Sequence, residues 1–260
     1  MITILPPDLV PAVTSEVRKV GALRSNLLLA IALVAITLVA STVTSLVSGP
    51  SDPNSNPATG AASIGLYLGI AAAILAAAAF GAAGAGAEYR YQSISATALF
   101  TTDRDRLVAA KLLVTAGIAL ATTFVVELVG LACLLGFGGA ESEFGMRLIT
   151  VLGGGLLAAV CWSLIGTGLA ILLRQSTGAI VLLLGWLLIA EPLIWIVANA
   201  LGLGGLATLL PGSATIATVA VGSFTDSDIL APTPAAVVVL LLWTLGITGA
   251  GWWTLRTRDL

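Results

Sequence analysis

Residues 88–111 read EYRYQSISATALFTTDRDRLVAAK, and long apolar runs bound this stretch on both sides. It is the longest polar interval so bounded. It carries four of the eleven basic residues (Arg90, Arg104, Arg106 and Lys111) together with Glu88, Asp103 and Asp105. A plain membrane hairpin needs no mixed-charge segment of this length. Ile94, Ala98 and Leu99 recur at helical spacing, with Ser93, Ser95 and Thr97 between them. The pattern predicts a short surface helix followed by a charged turn, a shape suited to docking a soluble partner. The plainer alternative is a solvated loop on the positively charged side of a membrane.

The runs on either side settle the class. Of the 260 residues 58% are hydrophobic and 9% charged, and the mean hydropathy is +1.08. Soluble domains carry about 25% charged residues. A chain this apolar is integral to a bilayer, and its long runs predict an all-α polytopic protein. Residues 1–11 hold no basic residue and no cleavage pattern follows the first apolar run, so no signal peptide is expected.

Outward from the charged stretch, about 20 apolar residues suffice to cross a bilayer. Spans are expected at 26–47, 63–87, 107–135, 146–173, 178–200 and 235–255, with 88–106 as a cytoplasmic segment. Residues 11–24 predict an amphipathic interface helix, with Val13, Val17 and Val20 on one face and Pro11 in the first turn. Residues 201–221 are apolar, but Pro211-Gly212 divides them into halves too short to cross. They predict two short re-entrant or interfacial helices on the outer side. In the second span Gly65 and Gly69 are spaced four apart, and Ala77, Gly81 and Ala85 continue the spacing. Such faces let helices approach closely, and they are read as packing surfaces. With the N-terminus inside, every basic residue except Arg147 falls on the inner side. That bias predicts six spans with both termini cytoplasmic.

Several chemistries are excluded. There is no histidine, so Ser/His/Asp and Cys/His catalysis cannot be built. The only lysines are Lys19 and Lys111, and neither follows a glycine, so no phosphate loop of the GxxxxGK[ST] type exists. Cys133 and Cys161 lie in apolar runs and read as small fillers. A pI near 5.0 without a basic patch argues against nucleic acid.

Two carboxylates remain at membrane depth. Glu127 stands ~24 Å above Lys111, and Glu191 ~20 Å above residue 178, at about 1.5 Å per residue. A charge near the bilayer centre costs at least ~2.5–3.5 kcal/mol. Each must face a cavity, find a donor or be protonated. Glu191, with Pro192 beside it to open the helix and Trp186 one turn earlier, is a candidate point on a substrate path. Glu127 is a second candidate, although it stands close enough to the outer end to snorkel. The alternative for both is a structural hydrogen bond to a neighbouring helix.

Four patches together resemble a known family. SEVRKVGALRS, with Glu16, Lys19 and Arg24, is similar to the SEWTKLRSTRS opening of the small actinobacterial ABC-2 type permeases. Glu88, Arg90, Ile94, Thr97, Leu99, Arg104, Arg106, Ala110 and Lys111 resemble that family's E-x-R-x-G-T-I-x-A-T-L-x-T-P-R-R-x-R-x-x-A-A-K segment. Arg174, Trp186 and Glu191-Pro192 are similar to its RN…WLLVLEPLL region, and the ending RTRDL to its RRRDV tail. Gln92 and Thr102 stand where the family has Gly and Pro, which alters the shape of the turn.

The resemblance implies a non-catalytic permease subunit of an ATP-binding-cassette transporter, in a bacterial inner membrane. It would pair with a second permease, identical or homologous, and with two cytosolic ATPase subunits. ATP and Mg would be bound by those subunits, with no cofactor in this chain. Glu88, Arg90, Ile94, Thr97, Leu99, Asp103, Arg104 and Arg106 would form the ATPase-coupling segment. The apolar spans suit export of a hydrophobic or amphipathic compound such as a drug, peptide or lipid. The rival readings are a proton-coupled secondary transporter using Glu127 and Glu191, and a membrane scaffold or immunity protein that transports nothing.

Overall fold

In the computed structural model the described residues are 6, 9–48, 59–91, 104–138, 145–224 and 229–257. Among them the chain is helical, with no strand. Helix α1 is Val10–Ala22, α2 Arg24–Val47, α3 Ile64–Arg90, α4 Arg104–Phe137 and α5 Met146–Leu173. Helix α6, Ser176–Gly185, passes through a π turn at Trp186–Ala190 into α7, Glu191–Ala200. Two short helices follow, α8 (Gly204–Ala207) and α9 (Pro211–Val219), and α10 (Thr233–Thr257) completes the described chain. Six of these stretches are long and apolar enough to cross a membrane: α2, Ala61–Arg90, α4, α5, Ser176–Ala200 and α10. The chain is therefore a multi-pass membrane protein.

The helices are joined by small residues. On α5 a methyl group at Gly154 would strike the Thr218 carbonyl, one at Gly166 the Ala78 carbonyl, and one at Gly168 the backbone of α10 at Thr248. From α3, Gly81 meets the Ser163 carbonyl and Gly86 meets Ser176. Lipid tails are as apolar as leucine, so burying leucine between helices gains little in a bilayer; close backbone approach supplies the packing instead. Helix α5 is thereby the hub, flanked by α3, α4, α9 and α10. Gly65 and Gly69 serve the same end, since they receive Ser41 and Thr37 of α2.

Helix α2 shows the inverted pattern this produces. Its buried residues are Leu33, Thr37, Ser41 and Ser45, spaced four apart, while Leu28, Ile36, Val39 and Val43 are exposed. The small polar face packs inward and the large apolar face turns out, as lipid requires.

The ends of the bundle are chemically different. Helix α1, the α3 C-terminus, the α4 N-terminus and the α10 C-terminus meet at one end through Lys19, Glu88, Lys111 and Arg104. Gly86 against Ser176 places the α5–α6 turn there as well. Among the described basic residues, only Arg147, at the start of α5, belongs to the other end. There, hydroxyls close the turns: Ser45 donates to the Ala62 carbonyl (3.4 Å), and the Gly65 N–H donates to Thr44 (3.1 Å).

The boundaries shift where charged side chains find partners. Helix α3 runs on through Arg90 and α4 begins at Arg104, so Glu88, Arg90, Arg104 and Arg106 stand on the long helices and not in a separate segment over 88–106. Glu88 lies in the last turn of α3, where two lysines bind its carboxylate.

Candidate functional site

The charged end is built around both lysines of the chain. Lys19 of α1 donates to Glu16 Oε1 (2.6 Å) and to Glu88 Oε1 (2.8 Å). Lys111 of α4 donates to Glu16 Oε2 (2.9 Å) and pairs with Glu88 Oε1 at 3.0 Å. Two carboxylates and two ammonium groups alternate, so the group is neutral while it ties α1 to α3 and α4. Glu16, Glu88 and Lys111 are buried, while the Lys19 side chain is 40% exposed. Burial pushes the Glu16 carboxyl up, but Lys111 beside it and the bonds from both lysines outweigh that and hold it below the ordinary value. Burial pushes Lys19 down, and its bonds to Glu16 and Glu88 more than offset this and hold it above.

A second tie lies on the other side of the interval 92–103. Arg104 Nη1 donates to the Leu255 carbonyl (2.9 Å), satisfying the C-terminal turn of α10 with a cation. Trp252 Nε1 donates to Asp105 Oδ1 (2.7 Å), and the Arg256 guanidinium lies 5.4 Å from the Trp252 ring centroid. Glu88, near the end of α3, is thus tied to α1 and α4, and Arg104 and Asp105, at the start of α4, are tied to α10.

Of the expected coupling residues, Glu88, Arg90, Arg104 and Arg106 are described. Glu88 turns inward and is 6% exposed. Arg90 lies 5.8 Å from the Tyr91 ring centroid. Ile94, Thr97, Leu99 and Asp103 lie outside the described residues. Sequence reasoning did not pick out Glu16, Lys19 and Lys111 as site residues. A usable signal was present: a lysine two turns inside a 34-residue apolar helix needs an anion, and Glu16 sits next to Val17 on α1.

The mid-membrane carboxylates divide. The structure brings Glu191 and Trp186 together and leaves Glu127 elsewhere. Glu191 is fully buried. Its Oε2 accepts from Trp186 Nε1 and from the Gly212 N–H, both at 3.0 Å, and its Oε1 accepts from the Ser213 N–H at 2.7 Å. Gly212 and Ser213 open α9, whose N-terminus points into the protein at membrane depth. The first N–H groups of any helix lack partners within it, and no water reaches them in lipid. Glu191 fills that vacancy from another helix and meets the positive end of the α9 dipole. Gly212 is required by contact: a methyl there would lie 2.6 Å from Glu191 Oε2. The π turn at Trp186–Ala190 places the indole and the carboxylate side by side. Gly212 and Ser213 were missed from sequence, although a Pro-Gly-Ser helix start inside an apolar run does ask for an acceptor.

Glu127 does not snorkel. It is 3% exposed, and its Oε1 has no hydrogen-bond partner among the described residues. Its Oε1 lies against Gly155 of α5, where a methyl group would strike it.

Beside the Glu191 anchor lies an apolar cavity of about 260 Å³, with Trp162, Trp186 and Trp243 in its wall. No family model matches the chain, and no curated protein matches it.

Proposed function

We propose that the chain is the membrane subunit of an ATP-binding-cassette transporter of the ABC-2 type, driven by ATPase subunits that dock on the charged end. The observation that carries this reading is that the two helix ends flanking residues 92–103 are each tied to neighbouring helices. A segment that received force from a soluble motor would need stiff connections to several spans. Here Glu88 leads to α1, α3 and α4, and Arg104 and Asp105 lead to α10. On this reading the charged end faces the cytoplasm of a bacterial cell, in keeping with the placement of the basic residues. The chain itself hydrolyses nothing; ATP and Mg are bound by the partner. A second permease copy or homologue completes the transporter, and a hydrophobic or amphipathic compound is exported.

A proton-coupled transporter is the reading that one other observation favours, namely the buried Oε1 of Glu127, which has no hydrogen-bond partner among the described residues. The two separate in one experiment. The tagged full chain is purified in mild detergent and its partners are identified by mass spectrometry. Stoichiometric recovery of a nucleotide-binding ATPase, lost on charge reversal at Arg104 while membrane insertion persists, supports the first reading. Purification without any ATPase, together with a proton gradient driving uptake in vesicles of the chain alone, rejects it.

A further inference from the structure

The cavity beside the Glu191 anchor has walls of one chemical kind. Ile165, Leu169, Leu182, Leu183, Pro211 and Ile247 complete a lining with the three indoles, and no polar atom reaches its surface. Each indole N–H is tied elsewhere: Trp162 to Thr215 Oγ1 (2.8 Å), Trp186 to Glu191 Oε2 (3.0 Å) and Trp243 to the Leu209 carbonyl (2.9 Å). All three rings lie within one helical turn of the midpoint of their spans. Tryptophan ordinarily favours the membrane–water interface, where its N–H stays wet. Three of six tryptophans are held instead at mid-depth, by three separate acceptors, with their carbon faces turned to one space.

That space does not suit water, which needs two to four polar partners. An apolar cavity of about 150 Å³ already takes up benzene, so this one accommodates a longer run of hydrocarbon. Leu182 and Trp243 on its rim are exposed at mid-helix, so it opens sideways, between α6 and α10. In the core of a bilayer the molecule on that side is a lipid.

We propose that the cavity between α5, α6, α9 and α10 is a binding site for one long acyl chain of a membrane lipid. The chain inserts laterally and lies against the three indoles. Because its wall includes Pro211 and Trp186, occupancy supports the same α9 N-terminus that Glu191 holds. The proposal does not depend on an ATPase partner.

The test uses the full chain reconstituted in phosphatidylcholine vesicles brominated at mid-chain, then transferred to excess mild detergent. Annular lipid is diluted away by the transfer and a bound lipid is not. The expected result is that indole emission stays reduced by up to half, since three of the six tryptophans line the cavity. Palmitate then restores the emission saturably, and hexanoate, too short to reach across the rings, does not. In the filled variant Leu169→Phe/Ile247→Phe the retained quenching is lost. Should that variant fail to fold, the contrast between palmitate and hexanoate decides alone. Complete recovery of emission on solubilisation, equal action of the two acids, or undiminished quenching in a folded filled variant would overturn the proposal. So would a wild-type dimer whose cavity tryptophans are never quenched, because a second copy would then cover the opening.

Discussion

Glu88 and Glu191 are both carboxylates removed from water in an apolar chain, and the protein holds them by opposite means. Glu88, with Glu16, is held by two ammonium groups at the end of the bundle. Glu191 is held at mid-depth by two backbone N–H groups and an indole, with no cation bonded to it among the described residues. Cations are affordable where their stems reach an interface; at the centre of a membrane, oriented dipoles stabilise a carboxyl group without adding a charge to be buried. The first arrangement therefore responds to charge, and the second to geometry.

The largest effect that would sharpen this contrast is expected at Lys111. Lys111→Met leaves Glu16 and Glu88 buried with only the half-exposed Lys19 between them. Removing one partner of a buried charge group costs about 3–5 kcal/mol. Lys19→Met, at an exposed position, costs about 1 kcal/mol or less. Unfolding of both variants in detergent, followed by heat or by titrated denaturing detergent, measures the difference. Equal losses would mean that the four charges do not act as the buried group described.

Next come changes at the α9 anchor. Glu191→Ala orphans three donors, and a bond to a charged group is worth about 1.5–3 kcal/mol. Glu191→Gln keeps one carbonyl acceptor but sets an amide against donors. It assembles, with a smaller loss than the alanine variant, because the neutral group is less costly to bury. Gly212→Ala pushes a methyl against the carboxylate and costs about 1–3 kcal/mol. If Gln were indistinguishable from wild type in stability and, on the proposed transporter reading, in substrate-stimulated ATP hydrolysis with an ATPase partner, the carboxylate would have no role beyond joining helices. A Gly212→Ala chain as stable as wild type would break the geometric half of the comparison.

The smallest expected effect is on pH. Glu16 titrates lower folded than unfolded, so its contribution is present above the unfolded value near 4.5 and is lost as pH falls through the lower folded one. Lys19 titrates higher folded than unfolded, so its share is full below 10.5 and lost as pH rises past the folded value. The α1 latch is thus flat across neutral pH and loosens in acid. A label pair on α1 and α4, read by distance as pH is lowered from neutrality, should hold its separation down to the unfolded value near 4.5 and open only below it. In Lys111→Met the separation should begin at a higher pH, since that lysine is a chief source of the lowering.

Much of this was legible in the residues. Apolar length alone placed six spans, and the run over 146–173 matches α5 at both ends. The four-residue spacing of Gly65 and Gly69 announced close packing, and Pro211 announced a break. These are local properties, in which each residue's own side chain or missing side chain sets the outcome. The partners were not legible. Glu16 and Lys111 are 95 residues apart and Glu191 and Ser213 are 22 apart, and no periodicity links them.

The sequence by itself determined that this chain lies in a membrane, how many times it is long enough to cross, and which end gathers positive charge. Hydrophobic length and the cost of burying charge act on each segment singly. Only the tertiary structure decided that Glu88 turns inward to two lysines, that Glu127 stays inside against Gly155, and that Glu191 caps a helix from a distance. The same folding arranged three tryptophans around one cavity. Those outcomes depend on which donors and surfaces the packed helices bring within about 3 Å of one another, a relation that does not exist until the helices have met.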